Sequence, residues 1–292
     1  MNTDLIKGAG VALVTPFDSL GQVDYTSLKK LVDHVICKGI DFIVALGTTS
    51  ESATLSKSEK EKVLNTIIKE NGKRVPLVVG IGGNNTQLVI DEIQTRNFDK
   101  IDAVLSVVPY YNKPSQEGIL AHFSAIAEAS PIPIILYNVP GRTASNLSAK
   151  TVLTLAKKYD NIIAIKEASS DFIQIMEIIK NKPDGFRVLS GDDALTLPLL
   201  SIGMEGVISV VANIYPSEMS FINKEAENGN YDGARDMHYK ILELTNALFE
   251  EGNPAGIKAA LKAKEIIENE TLRLPLVSVS ENLREKVKFL LN

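Results

Sequence analysis

Cysteine is nearly absent: Cys37 is the only one in 292 residues, so no disulfide can form within the chain. Its neighbours follow a helical pattern, and the thiol is read as a small buried hydrophobe, not as a reactive group. Histidine is scarce as well. His34, His122 and His238 lie far apart and make no HExxH or similar spacing, so no metal site is indicated. Positive charge is in deficit: the net charge is −5, the isoelectric point is near 5.4, and no Lys/Arg cluster stands out, which argues against nucleic acid as a partner. No apolar run approaches the ~20 residues needed to span a bilayer. Residues 1–8 show neither the basic region nor the long apolar core of a secretory leader. The expectation is a cytoplasmic protein with no membrane or nucleic-acid partner. Low-complexity tracts, short-period repeats and Pro/Gly/Ser-rich linkers are also missing.

Hydrophobic residues make up 45% and charged residues 23%, close to the soluble globular average, so the chain is expected to fold. Its length exceeds that of a usual domain, yet α/β barrels of about 250 residues form one domain. Short apolar, β-branched runs end in Gly, Pro, Asn or Asp and alternate with segments of helical period. They cover 11–17, 42–47, 77–82, 103–109, 134–138, 162–167, 187–191 and 206–212. Such runs suit parallel strands covered by helices on one side and packed on the other. Eight of them predict an α/β (β/α)8 barrel. A doubly wound dinucleotide fold would need GxGxxG, and Gly80-Ile81-Gly82-Gly83-Asn84-Asn85 fails at the last position. Ser56-Lys57-Ser58-Glu59 has the form of a capping box that opens a helix. From Pro216 onward the pattern is almost entirely helical, more than a minimal barrel needs. The expected organisation is a single domain over 1–292, with the barrel to about residue 225 and a C-terminal helical extension over 226–292.

Barrel chemistry sits where the strands end and the βα loops converge, and the polar anomalies of this sequence fall there. Lys166 follows Ile162-Ile163-Ala164-Ile165, so an ammonium is carried to the end of an interior strand. A desolvated amine is suited to forming an imine with a carbonyl substrate. A strand-end lysine paired with a carboxylate is the competing structural reading, but alternation places Glu167 on the opposite face. Tyr137, one strand away, can relay protons, or can be an amphipathic core residue with a satisfied hydroxyl. Thr48 and Thr49 offer hydroxyl and backbone N–H groups to a carboxylate, or stabilise their own loop. Arg142, after Pro140-Gly141, has a planar fork suited to a carboxylate, although taken alone its loop favours a solvated surface arginine.

In order, Gly47-Thr48-Thr49-Ser50-Glu51, Tyr110-Tyr111-Asn112-Lys113-Pro114, Tyr137-Asn138-Val139-Pro140-Gly141-Arg142-Thr143, Lys166-Glu167-Ala168-Ser169 and Gly191-Asp192-Asp193 resemble the dihydrodipicolinate synthase family nearly end to end. That family lies within the pyruvate-dependent class I aldolases, which also include N-acetylneuraminate lyase. The resemblance implies a lyase in which Lys166 condenses with pyruvate and the enamine attacks aspartate semialdehyde, in lysine and diaminopimelate biosynthesis, with no cofactor. It implies a proton relay of Tyr137, Thr48 and Tyr111, the last from a neighbouring subunit of a homo-oligomer, a dimer of dimers. Thr49 would hold the pyruvate carboxylate, Arg142 the semialdehyde carboxylate, and Gly191 and Ile208 would complete the pocket. A sialic acid lyase or related sugar-acid aldolase is the runner-up, and a non-catalytic ligand-binding barrel the alternative of another class.

Two departures from the family pattern stand out. Ser50 replaces a usual glycine, which implies strain if the backbone there has positive φ. The positions of a lysine-feedback pocket correspond to Ser52, Ala53, Lys57, Lys60, Asn84, Leu88 and Tyr110. Two cations and an aliphatic residue stand there where a cationic effector needs neutral or acidic partners, so the pocket is expected to be degenerate.

Overall fold

The computed structural model describes residues 6–291. Residues 1–5, part of the segment read for a leader, and Asn292 lie outside them. The chain runs β1 (Gly8–Ala12), α1 (Tyr25–Cys37), β2 (Phe42–Ala45), α2 (Lys57–Asn71), β3 (Leu77–Gly80), α3 (Thr86–Thr95), β4 (Ala103–Val107) and α4 (Gln116–Ala129). It continues through β5 (Ile134–Asn138), the short α5 (Pro140–Thr143), α6 (Ala149–Lys158), β6 (Ile162–Glu167), α7 (Phe172–Asn181), β7 (Arg187–Ser190), α8 (Thr196–Ser201) and β8 (Gly206–Ser209). Helices α9 (Pro216–Glu227), α10 (Tyr231–Phe249), α11 (Ala255–Ala263) and α12 (Glu281–Leu290) follow. The strands pair in parallel in chain order, and β1 pairs with β8, so the sheet closes into the expected (β/α)8 barrel. Among the described residues no helix is long and apolar enough to cross a membrane.

Alternation along the strands builds two apolar layers. Phe42, Val44, Val78, Leu105, Ile135, Leu189 and Ile208 fill the barrel interior, while Ile43, Ala45, Val79, Val104, Leu136 and Val188 face the helices. Each fully buried aliphatic or aromatic side chain stabilises the fold by roughly 1.5–3 kcal/mol before entropy is counted. The run over 134–138 and that over 162–167 match the observed strands, as does the capping box: Ser56 Oγ accepts from Glu59 N at 3.2 Å and Glu59 Oε2 from Ser56 N at 2.9 Å.

Three expectations are corrected. The first strand is Gly8–Ala12, not 11–17. Gly10 is a strand residue because the Phe42 ring occupies the space a side chain would take, with a Cβ there only 2.2 Å from the ring. The apolar residues after Ala12 stay buried but leave the ladder by Val14, whose N–H donates to Asn213 Oδ1 at 3.1 Å instead of to a strand. Cys37 is exposed, not buried. The buried face of α1 is Leu28, Leu31, Val32 and Val35, and residue 37 falls two places past Val35, off that face. Finally, the tail is not helical throughout. Residues 264–280 form an irregular strap between α11 and α12.

Candidate functional site

The site opens at the carboxyl ends of the strands. A shift in register between β5 and β6 leaves Ile163 as an extra residue, because Ile134 pairs with Ile162 and Ile135 with Ala164. Ile163 and Ala164 therefore both enter the barrel interior, and the alternation that resumes after the bulge turns Lys166 inward and Glu167 outward. Lys166 is only 6% exposed and sits in the wall of a cavity of about 380 Å³. Its register partner is Tyr137, and its Nζ lies 4.5 Å from the centre of the Tyr137 ring.

Gly191, after β7, lines the same cavity. A Cβ there would sit 2.7 Å from Ala168 Cβ and 2.9 Å from Lys166 Cε, so the lysine stem occupies the place of a side chain. Gly191→Ala is expected to displace the amine and slow formation of a borohydride-trapped pyruvate adduct by about tenfold or more. An adduct rate equal to that of the unaltered protein would contradict this.

Thr48 and Thr49 open a 3₁₀ turn (Thr48–Ser50) after β2, and both line the cavity. Thr49 is buried, and its hydroxyl accepts from Asn253 Nδ2 at 3.0 Å. Arg142, on α5, also lines the wall. Thr48, Tyr137 and Arg142 are shared with a neighbouring cavity of about 520 Å³. Ser52, Ala53, Lys60 and Tyr110 of the expected effector cluster line that second space, whereas Lys57, Asn84 and Leu88 do not. Asn84 instead ties the 110–112 loop through Tyr110 O at 3.2 Å and Asn112 Nδ2 at 3.0 Å.

Two further residues lie apart from the cavity. Ile208 is in the barrel interior beneath it, not in its wall. Tyr111 is 86% exposed, lines neither cavity of its own chain, and is held at a φ of +73°, a conformation that costs a non-glycine residue energy. Ser50 carries no such strain. Positive φ falls on its neighbours Leu46 (+56°) and Glu51 (+53°), while Ser50 Oγ donates to Leu13 O at 2.6 Å in the interior.

Several residues in or under the site left no signal in the sequence. Asn246 and Phe249 of α10 and Asn253 of the turn after it complete the cavity wall. Beneath the threonine turn, Glu51 and Lys258 form a fully buried ion pair at 2.5 Å. Glu51 Oε2 also accepts from Arg273 N at 3.1 Å, and Arg273 clamps Glu59 at 2.5 and 3.0 Å. The strap thus holds the β2–α2 loop in place. Burial lowers Lys258, to about 8, against the pull of Glu51, and the Arg273 guanidinium holds Glu59 down at about 2. At the ends of β7 and β8, burial pushes Asp193 up to about 6. Its carboxylate accepts from the Ser209 hydroxyl and, at 2.9 Å, from Val210 N.

A closed parallel barrel with a buried lysine facing a tyrosine at the carboxyl ends of its strands has the layout of an enzyme site, and similarity to known proteins makes the enzyme a lyase. The chain matches the Dihydrodipicolinate synthetase family over residues 5–292 and belongs to that family. It is 54% identical over 280 residues to the 4-hydroxy-tetrahydrodipicolinate synthase of Flavobacterium psychrophilum, covering 96% of this chain and 95% of the relative. Among solved structures it resembles a chloride-inhibited dihydrodipicolinate synthase from Acinetobacter baumannii complexed with pyruvate, with 42% identity, a TM-score of 0.94 and 98% of each chain covered. It also resembles a monomeric dihydrodipicolinate synthase variant, with 37% identity, a TM-score of 0.96, and 99% of this chain and 97% of that one covered.

Proposed function

We propose that this chain condenses pyruvate with L-aspartate 4-semialdehyde to give 4-hydroxy-tetrahydrodipicolinate, with Lys166 as the imine-forming residue. The observation that carries the assignment to Lys166 is its burial in the cavity wall, 4.5 Å from the Tyr137 ring. In this reading Lys166 Nζ attacks the C2 carbonyl of pyruvate, water leaves, and an imine forms. Loss of a methyl proton gives the enamine, whose carbon attacks the aldehyde. The substrate's amino group then adds to C2, closes the ring and frees the lysine.

Tyr137, with Thr48, moves protons at C2 and at the aldehyde oxygen. Thr49 and the adjoining backbone receive the pyruvate carboxylate. Arg142 receives the semialdehyde carboxylate through its fork, and Gly191 leaves room for the bound keto acid. Exposure and positive φ at Tyr111 support its reaching the site of a neighbouring copy, because a strained conformation persists where something fixes it. The assembly proposed is a homotetramer, a dimer of dimers, in the cytoplasm.

A coupled assay with pyruvate, aspartate semialdehyde, a dihydrodipicolinate reductase and NADPH tests this reading beside an N-acetylneuraminate cleavage assay. Turnover in the first and none in the second is expected. The reverse would assign a sugar-acid aldolase instead.

The larger cavity beside the site is expected to take L-lysine poorly. Lys60 lines it, and the carboxylate of Glu92 is engaged by Arg96 at 3.0 Å, so an incoming ammonium meets a cation without a free counter-charge. The coupled rate should be unaffected by submillimolar L-lysine, and half-inhibition in that range would contradict the argument.

A further inference from the structure

Behind the strands that carry Lys166 and Tyr137, Glu167 is fully buried on the outer face of the barrel, where the proposed chemistry makes no use of it. Its Oε1 accepts from Ser169 N at 2.9 Å and its Oε2 from Gln174 Nε2 at 3.2 Å. Asn138 Nδ2 donates to both oxygens, at 3.0 and 3.1 Å. Burial raises this carboxyl above the ordinary glutamate range while the Ser169, Asn138 and Gln174 donors pull it down. An oxygen pair facing only donor groups suits the ionised form, which only accepts, so Asn138 and Gln174 turn their NH₂ groups toward it.

That fixes the rest of the network. The carboxamide oxygen of Asn138 is left to accept from Leu147 N at 2.9 Å, nine residues along the chain. The second hydrogen of Asn138 Nδ2 goes to Asn146 Oδ1 at 2.8 Å. Gln174 Oε1 accepts from Asn146 Nδ2 at 2.9 Å, and Gln174 Nε2 reaches Leu147 O at 3.3 Å. Both ends of one loop are therefore held: Asn138 at its start, Asn146 and Leu147 at its end. Between them stands Arg142, whose turn is closed by Thr143 Oγ1 on Val139 O at 3.1 Å and on Ser145 O at 2.8 Å.

We infer that Glu167 is a positioning residue for the acceptor substrate: as an obligate acceptor it sets the amide orientations that clasp the two ends of the Arg142 loop. This rests on the reading that Arg142 receives the semialdehyde carboxylate. Glu167→Gln keeps the shape but brings an NH₂ group among donors. That group stays unpaired, or Gln174 turns over and gives up Asn146 Nδ2 and Leu147 O, or Asn138 turns over and releases Leu147 N. In the last two cases an end of the loop is freed and the arginine loses its fixed place.

The test measures both Michaelis constants and pyruvate trapping by borohydride for the full-length Glu167→Gln, Arg142→Ala and double variants. Glu167→Gln should raise KM for aspartate semialdehyde about tenfold, leave the fraction trapped at limiting pyruvate unchanged, and add nothing once Arg142 is alanine. Equal rises in both KM values, effects that multiply in the double variant, or a lowered melting temperature with KM unchanged would each overturn the inference. If Arg142→Ala itself leaves the semialdehyde KM unmoved, the assignment of Arg142 fails and the inference falls with it, a result distinct from failure of Glu167 alone. Should Glu167→Gln not fold, the exposed Asn146→Ala removes one end of the clasp and is expected to show the same split, smaller in size. An unshifted semialdehyde KM in that variant counts against the clasp.

Discussion

Lys166→Ala is expected to lose turnover by about four orders of magnitude in the coupled assay while keeping its circular dichroism and melting temperature close to those of the unaltered protein. The size follows from the role: without the amine there is no imine, hence no enamine, and the remaining groups only bind and orient. Stability should hold because burying an ammonium is costly and alanine removes that cost. The cavity already present beside the side chain means that little packing is lost with it. A variant retaining more than about a tenth of the original kcat would show that the chemistry does not run through this lysine.

Tyr137→Phe is expected to lower kcat by about 10²–10³-fold, the usual worth of a positioned proton donor and acceptor. The ring stays, so the interior packing beside Ile135 and Leu189 and the contact with Lys166 Nζ stay too. The loss should appear in proton transfer and not in binding. In a single-turnover experiment the approach to the imine slows, while the amount trapped after long incubation with pyruvate is unchanged. If the Tyr137→Phe variant supported full turnover, the hydroxyl would be a core feature and the relay would have to be built from other groups.

What could be read in advance follows from which interactions are local. The fold was legible because parallel strands buried on both faces are short apolar runs with sharp ends, and the match is closest where the run is most uniform, as in Ile134–Asn138 and Ile162–Glu167. Lys166 was legible because an ammonium at the end of such a run has no local reason to be there. The first strand was misplaced because its glycines make room for residues distant in the chain, Gly8 for the Asp41 carboxylate and Gly10 for the Phe42 ring, contacts no local pattern reveals. Cys37 was misread for a similar reason: its helix is amphipathic, and a burial preference by residue type ignores which face a position occupies.

Asn253, which donates to Thr49, and Lys258, which pairs with Glu51, lie more than two hundred residues from their partners in the chain. Nothing near them distinguishes them from ordinary polar residues of a helical tail. Ser50 is instructive in the opposite sense. A glycine-to-serine departure suggested strain, but the left-handed residues around that turn are Leu46 and Glu51, and the serine hydroxyl gains a buried partner in Leu13 O.

The central claim is that Lys166 forms the covalent bond to pyruvate. It is tested most directly by reducing the full-length protein with borohydride in the presence of pyruvate, digesting it, and locating the adduct by mass spectrometry. The account predicts one reduced pyruvate adduct per chain, on the peptide that contains Lys166, and none on Lys258, the other buried lysine, whose amine is held by Glu51. An adduct on Lys258 or on a surface lysine with Lys166 unmodified would contradict it, as would turnover in the coupled assay with no adduct at all.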